Sequence, residues 1–439
     1  MKKRRIVRRI VAIAMTFIMG ITMIGCSKKT DYSGEYNYET DAQYSYITNV
    51  DSWKKYQSDG NGQYILMNNY IYYYNNKTKQ MTPLCDKANC LHDMETDEKR
   101  IKDCNAYIYN SRETDAELND PGNKFIQYYE GYIYYTVGAS VYRVSKDGEL
   151  KEKIFTTEDN QTIMNWLFHR GKLYYEVEEH SYEGDKIYSK GILRQIDAGS
   201  SMKAKNAKII FETDKNFNMD NFGQIRAYKN NVVFSTLCFS KDFKMTDNES
   251  WIKAANSNHY IYDTETNKVS VIDVPDKQSD TDNISSVFFL KDKMLIKKYD
   301  DMQDMEFKTT IYSMDYDTKE MRVWLEGVAQ GAWIMTYDDY AIIDDSDLQY
   351  FNYHNSNSCN VEIYSSDAKK VSYFEYELNS IGTFSGFGPD GVSVDVTKDD
   401  NTWYVNEIKF EDVLKCNGEK VKPEIVSERK FGSLNNMDW

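Results

Sequence analysis

Tyr128-Tyr129-Glu130-Gly131-Tyr132-Ile133-Tyr134-Tyr135 is an apolar run, a two-residue turn and a second apolar run. Aromatic and β-branched residues fit a pleated, half-buried surface, and Gly tolerates the positive φ that a two-residue hairpin turn demands. The stretch therefore reads as a β-hairpin. The pattern recurs at Ile65-Leu66-Met67-Asn68-Asn69-Tyr70-Ile71-Tyr72-Tyr73 and at Leu167-Phe168-His169-Arg170-Gly171-Lys172-Leu173-Tyr174-Tyr175. Weaker copies centre on Asn230-Asn231, Lys291-Asp292, Asp338-Asp339 and Pro389-Asp390-Gly391.

A second hairpin signal accompanies most copies, at Lys146-Asp147-Gly148, Asp263 to Lys268, Asp315 to Lys319 and Ser365 to Ala368. Two hairpins make a four-stranded antiparallel unit, and units recurring every 40 to 60 residues or so are the signature of a β-propeller. Each such sheet has two apolar faces, and packing sheets side by side around an axis buries both. The expected fold is all-β, a single propeller of four-stranded blades, seven by the number of copies, with six or eight as neighbouring solutions. A β-sandwich pair would need a linker near the middle, and a solenoid a shorter and stricter period. The first copy has room for only three strands, so residues 44–48 or 402–425 are expected to complete a blade and close the ring.

The composition agrees with β-structure: 37 Tyr and only 5 Pro in 439 residues. Domain boundaries follow from the same pattern. Residues 1–25 read as an export signal, 26–61 as a membrane-proximal spacer with room for a closing strand, 62–425 as the propeller with a Cys/His insertion at 85–104, and 426–439 as a C-terminal tail.

The export signal rests on Lys2, Lys3, Arg4, Arg5, Arg8 and Arg9 followed by the apolar run Ile10 to Ile24, which ends in Met23-Ile24-Gly25-Cys26. That run is shorter than the ~20 apolar residues of a membrane span. The segment resembles a bacterial lipoprotein signal, with Met23 where that family usually has Leu. The resemblance implies lipidation of Cys26 and a protein anchored to the membrane through lipid on its extracytoplasmic side. Removing the signal leaves 48 Lys and Arg against 69 Asp and Glu, a net charge of −21. Such a surface repels a phosphate backbone, so nucleic acid is excluded as a partner.

Gly131-Tyr132-Ile133-Tyr134-Tyr135-Thr136 with Val141 to Gly148 resembles a blade of the low-density-lipoprotein-receptor-related propellers, although Tyr134-Tyr135-Thr136-Val137 stands where that family has Tyr-Trp-Thr-Asp. The tyrosine-rich repeats, together with Thr82-Pro83-Leu84-Cys85-Asp86-Lys87-Ala88-Asn89-Cys90-Leu91-His92-Asp93, are similar to a group of uncharacterised clostridial lipoproteins with propellers of that type. That resemblance implies a fold and a location but no activity.

Cys85, Cys90, His92 and Cys104 form one cluster of metal-ligand character. Three thiolates and an imidazole can close a tetrahedral zinc site of structural type, which leaves no open position for a water nucleophile. A disulfide among these cysteines competes with it, because exported proteins meet oxidising conditions. Cys238, Cys359 and Cys416 read as small apolar residues in strands. Gly386 to Gly391 matches a dinucleotide-binding pattern in letters only, since a strand and not a helix follows. The acidic groups at Asp344-Asp345-Ser346-Asp347 and Asp300 to Asp304 read as solvated turns. Trp166, Trp251, Trp333 and Trp403 are candidates for ligand stacking, against the ordinary role of filling space between sheets.

No catalytic signature appears, and the residues His169, His180, His259 and His354 lack zinc-protease spacing. The sequence therefore favours a non-catalytic binding or scaffold protein for a protein, peptide or glycan ligand. The alternative is a propeller-type polysaccharide hydrolase or lyase, which would need two carboxylates about 5 to 10 Å apart.

Overall fold

A computed structural model describes residues 32, 35–44, 56–67, 69–108, 125–158, 161–183, 186–199, 202–213, 216–217, 221–222, 225–239, 255–275, 283–299, 308–329, 331–344, 358–377, 381–388, 391–397, 402–415 and 424–430. Cys26 and the export signal lie outside these residues, as do Trp251, His354 and Cys416. Residues 36–439 form one compact unit, and residues 1–35 are a separate one.

The strands of the large unit assemble into antiparallel sheets that follow one another along the chain. The first comprises Tyr56–Ser58, Gly62–Met67, Tyr70–Asn75 and Gln80–Pro83, and the second Gln127–Tyr129, Tyr132–Val137, Ser140–Ser145 and Lys151–Thr156. The third comprises Ile163–His169, Lys172–Glu183, Lys186–Asp197 and Lys208–Glu212, with Asn216–Phe217 added on Lys186–Asp197. The fourth is built on Arg226–Tyr228, Asn231–Phe239, Ala255–Asp263 and Lys268–Val271. The fifth spans Asn283–Phe289 to Met321–Ala329, the sixth Trp333–Tyr337 to Lys370–Glu377, and the seventh Ile381–Gly388 to Glu424–Lys430. First strands are neighbours from the first sheet to the fourth and from the fifth to the seventh, the third strand of the fourth sheet meets the first of the fifth, and the last strand of the seventh sheet meets the last strand of the first. This is a β-propeller.

Two expectations need correction. The blades are not uniformly four-stranded: the third sheet has five strands and the fourth six, because Asn221–Phe222 pairs with Asn231–Phe239 and Gln43–Tyr44 pairs with Arg226–Tyr228. Nor does a terminal segment complete the first blade. Its first strand is the local Tyr56–Ser58, and all four strands of the seventh sheet come from one contiguous stretch. A consequence is that the turn at Asn69 joins the second and third strands of its sheet, whereas Glu130-Gly131 and Arg170-Gly171 join the first and second.

Local chemistry accounts for the hairpins. Glu130 and Gly131 (φ 47° and 82°) and Arg170 and Gly171 (φ 45° and 74°) take the left-handed conformations of a type I′ turn. The outer hairpins of three sheets share another device. Asn75, Asp263 and Asp315 each accept two backbone N–H groups on Oδ1, from Lys77 and Thr78, Glu265 and Thr266, and Asp317 and Thr318. Each turn then closes through a left-handed residue, Lys79, Asn267 or Lys319. The two turns of one sheet are tied together in the same way four times, by N–H to O=C bonds from Asn76 to Asn61, Lys146 to Gly131, Ala198 to Gly171 and Thr264 to Asn230, at 2.8 to 3.0 Å.

Apolar residues from neighbouring sheets fill the interfaces. Leu167, Tyr174 and Leu193 pack against Ile225, Val232 and Phe234, and Leu290, Leu295 and Ile311 pack against Ile334, Ala341 and Ile343. Trp166 belongs to this interior: it is fully buried, and its Nε1–H donates to Thr136 Oγ1 at 3.2 Å. Trp333 is half-buried, and Trp403 lies in the Thr402–Ile408 strand.

The first-to-second-strand turns of the second to sixth sheets gather at one end. The Gly171 N–H donates to Tyr129 Oη at 2.6 Å, and His169 Nε2 meets the Lys229 carbonyl at 2.8 Å. The Tyr228 hydroxyl donates to the Lys291 carbonyl, and the Lys291 N–H to the Asp338 carbonyl. At this end the centre is closed by the segment Tyr36 to Tyr44, which contains the helical turn Tyr38–Asp41. The Tyr38 hydroxyl donates to the Phe289 carbonyl at 2.7 Å, while the Phe289 N–H donates to Tyr44 Oη at 3.0 Å. Gln127 Nε2 donates to Gln43 Oε1, Arg170 Nη1 to Asp41 Oδ2 at 2.8 Å, and the Tyr337 hydroxyl to Glu39 Oε1. One short segment thus touches five consecutive sheets.

Candidate metal centre

The chain after Pro83 leaves the first sheet and folds into an insertion that brings Cys85, Cys90, His92 and Cys104 together. Their ligand atoms all lie within 4.8 Å of one another, and Cys104 Sγ is 3.7 Å from His92 Nδ1. Donors bound tetrahedrally at about 2.3 Å sit about 3.7 Å apart, so this separation suits a shared ion. No disulfide joins the three cysteines.

Three local structures position the donors. Asn89 and His92 adopt left-handed φ of 62° and 52°, which turns the chain sharply on either side of Cys90 and Leu91. For His92 that conformation costs about 1 to 2 kcal/mol, so the surrounding contacts must fix it. The Tyr70 hydroxyl donates to the His92 carbonyl at 3.2 Å, and Arg100 Nη2 donates to the Asn89 carbonyl at 2.9 Å. The helix Glu98–Asp103, capped by Asp97 accepting from the Arg100 N–H, delivers Cys104 at its C-cap.

The insertion is fastened to both flanking sheets. The Ile71 N–H donates to the Ala106 carbonyl and the Ile108 N–H to the Asn69 carbonyl, at 2.8 and 2.7 Å. Asn105 Nδ2 donates to the carbonyls of Gly148 and Glu149 in the outer turn of the second sheet. Gly148 (φ 76°) lies so close that an added Cβ would sit 2.7 Å from Cys85 N and 2.9 Å from Cys85 Cα. Lys151 places its ammonium over the insertion, donating to the Cys104 and Tyr107 carbonyls, and Lys87 donates to the Asp103 carbonyl.

Electrostatics favour a cation among the sulfurs. A hydrogen bond from the Cys104 thiol, with the backbone N–H groups of Lys87 and Asn105, holds Cys85 well below the ordinary thiol range. The same bond, together with burial, pushes Cys104 up. Three thiolates cannot coexist here unaided, and a divalent ion would ionise all of them. Three thiolates and an imidazole form a soft donor set, suited to zinc and unsuited to calcium or magnesium.

The other sequence candidates are scattered. His180 is exposed, with Nε2 3.6 Å from Glu178. His169 and His259 are buried, and burial lowers them to about 4 and about 3. Cys238 and Cys359 lie in strands, and Gly388 pairs with Gly391 across a hairpin. Sequence reasoning missed Glu176, a fully buried carboxyl that accepts from Asn165 Nδ2 at 2.8 Å and whose pKa burial raises well above the ordinary carboxylate range. Its strand, Lys172–Glu183, carries four glutamates, and nothing in their spacing singles out the buried one.

No family model matches the chain, and no curated protein matches it either. Several solved structures are similar to parts of it. An oligogalacturonate lyase from Vibrio parahaemolyticus is 12% identical, with a TM-score of 0.47, covering 84% of this chain and 92% of that one. An oligogalacturonate lyase in complex with manganese is 11% identical, with a TM-score of 0.43 and coverage of 75% and 79%. A prolyl endopeptidase is 10% identical, with a TM-score of 0.44, and covers 90% of this chain but 49% of that one.

Proposed function

We propose that this chain is a lipid-anchored extracytoplasmic β-propeller that binds a protein, peptide or glycan without transforming it, and that its Cys85, Cys90, His92 and Cys104 cluster holds one structural zinc. The observation carrying the first part is the closure of the propeller's centre at one end by the chain's own Tyr36 to Tyr44 segment. That segment lies within the 26–61 stretch read as a spacer and precedes every blade in the chain, which supports a tether entering at this end and recognition at the other. Rigid sheets presenting many loops suit that task. For the second part, four protein donors complete a tetrahedral ion, which gives a staple between the first two sheets and no site for activated water.

Thermal unfolding of the soluble chain starting at Ser27, against a panel of glycans and peptides, tests the binding role. A ligand at 100 times its dissociation constant adds about 2.7 kcal/mol of stability. A raised midpoint with the ligand recovered unchanged supports binding. Cleaved oligosaccharide in the same samples would replace this proposal with a lyase or hydrolase.

A further inference from the structure

The third sheet departs from its neighbours in the length of its middle hairpin. Lys172–Glu183 and Lys186–Asp197 each run for 12 residues, against 6 in Tyr132–Val137 and 5 in Tyr340–Asp344. The first strand, Ile163–His169, pairs with this hairpin only as far as Val177. Six residue pairs, from Glu178↔Gly191 to Glu183↔Lys186, continue beyond it, about 20 Å of two-stranded ribbon at 3.3 to 3.4 Å per residue. The Arg170-Gly171 turn lies at the closed end, where Arg170 meets Asp41, so the ribbon stands at the opposite end.

The register of the ribbon decides which backbone groups it leaves open. Gly191 bonds to Thr213 on its outer side: its N–H donates to Thr213 Oγ1, and its C=O accepts from the Thr213 N–H. Gly191 therefore turns its backbone away from its partner Glu178, the mark of a non-hydrogen-bonded pair, and antiparallel alternation gives His180 and Tyr182 the same setting. Their N–H and C=O groups point to the inner edge, in line with Ile163–His169, and among the described residues no strand pairs with them there. The outer edge is covered, by Asn216–Phe217 on Ser189 and Tyr188. Further along the same connecting segment, Asn221–Phe222 covers the inner edge of the fourth sheet's hairpin at Leu237 and Thr236. The chain thus adds a strand of its own to both neighbouring edges and leaves this one open.

The side chains beside the open edge are acidic. After Lys172 the strand carries Glu176, Glu178, Glu179 and Glu183, and no Lys or Arg. Glu179 and Glu158 are exposed (46% and 53%), while Arg194, the cation they share, is buried. We propose that residues 179–183 take up an extended peptide rich in Lys or Arg as an added strand, paired through the backbone of His180 and Tyr182. This rests on the binding role proposed above and names its ligand chemistry. In strand addition the main-chain bonds supply affinity, and the guest's alternate side chains supply selectivity. The chain's net charge of −15 draws a basic guest toward that edge and repels an acidic one.

The test uses the full chain in non-ionic detergent and a fluorescein-labelled peptide of alternating Lys and Val, followed by fluorescence anisotropy. A Glu/Val counterpart reports the effect of charge, and the Lys/Val peptide methylated on every backbone nitrogen keeps its charge but donates no main-chain bond. The Lys/Val peptide should bind at least about tenfold tighter than either. His180→Pro removes an N–H from the open edge and none from the ladder, a place where a strand tolerates proline. It should weaken the Lys/Val peptide at least about tenfold while the unfolding midpoint holds. Should that variant lose its fold, amide exchange in the parent chain decides: the peptide should slow exchange across residues 178–183 at least about tenfold. Methylated and unmethylated peptides that bind alike would reduce the attraction to charge and overturn strand addition. A Lys/Val peptide that binds without slowing exchange at 178–183 overturns this edge but leaves the binding role standing. No binding by any of the peptides also overturns strand addition, and the glycan arm of the unfolding panel then decides the binding role alone. A dimer seen in sedimentation and dissolved by His180→Pro, with no peptide bound, would give the edge to a second copy of the chain and overturn the peptide as its occupant.

Discussion

Replacing Gly148 with Ala, beside the same change at Gly131, isolates one contact at the metal centre. Both glycines sit in turns of the second sheet with left-handed φ, 76° and 82°, so a Cβ costs each about 1 to 2 kcal/mol of backbone strain. They differ in what the Cβ meets. At Gly131 there is nothing within 4 Å, whereas at Gly148 three backbone atoms of Leu84 and Cys85 lie at 2.7 to 2.9 Å. Restoring ordinary contact requires Cys85 to retreat by roughly 0.5 to 1 Å, and metal sites hold their distances to about 0.2 Å. Gly148→Ala should therefore lose at least about tenfold in zinc affinity, equivalent to ~1.4 kcal/mol, beyond any change seen in Gly131→Ala. Competition of the purified soluble protein with a zinc-chelating dye measures both. Equal zinc affinity in the two variants would refute the argument, because it would mean that Cys85 does not take its position from this turn.

Three further outcomes follow from the same structure. Chelation of zinc should lower the unfolding midpoint and open the 85–108 insertion to protease before the rest of the chain; cleavage at the same rate with and without chelator would count against a structural metal. Tyr38→Ala should cost about 3 to 5 kcal/mol by emptying a buried aromatic site, and Tyr38→Phe about 1 kcal/mol for its hydroxyl; calorimetry of both variants shows whether the closing segment contributes to global stability. His169 and His259 are lowered by burial to about 4 and about 3, so only the unfolded chain takes up their protons as pH falls through about 6.5. Their stability contribution is complete above that pH and declines progressively from about 6.5 toward 3 to 4, and replacing either with Gln should flatten the decline of the unfolding midpoint between pH 7 and pH 5.

The hairpins were legible because their turns obey local chemistry. Gly131 and Gly171 sit where φ must be positive, and alternating aromatics on either side name the strands. The Cys/His cluster was legible because four soft donors lie close in sequence. What escaped was pairing that depends on distant partners. Tyr56–Ser58 is too short and polar to announce itself as a strand, and its omission moved the first copy one strand out of step with the others. Of the 44–48 stretch expected to help close the ring, Tyr44 instead pairs, with Gln43, in the fourth sheet, a choice made by Arg226 and Ala227 far along the chain. Three tyrosines in nine residues, Tyr36, Tyr38 and Tyr44, were the available sign that this stretch was more than a spacer. Each has an apolar ring to bury and a hydroxyl to satisfy, as Tyr38 does against Phe289.

The ring of sheets has a seam. Because Ile381–Gly388 through Glu424–Lys430 form a complete sheet from one stretch of chain, the last blade meets the first by side-by-side packing, with no strand lent across the junction. A circle closed this way resembles a stone arch more than a buckled belt, since nothing in the backbone ladder prevents its two ends from parting. Tyr36 to Tyr44 then occupies the place of a keystone, wedged among five blades from the second to the sixth. Under the anchor proposed above, tension on the chain ahead of Tyr36 would load this wedge and the five blades it holds.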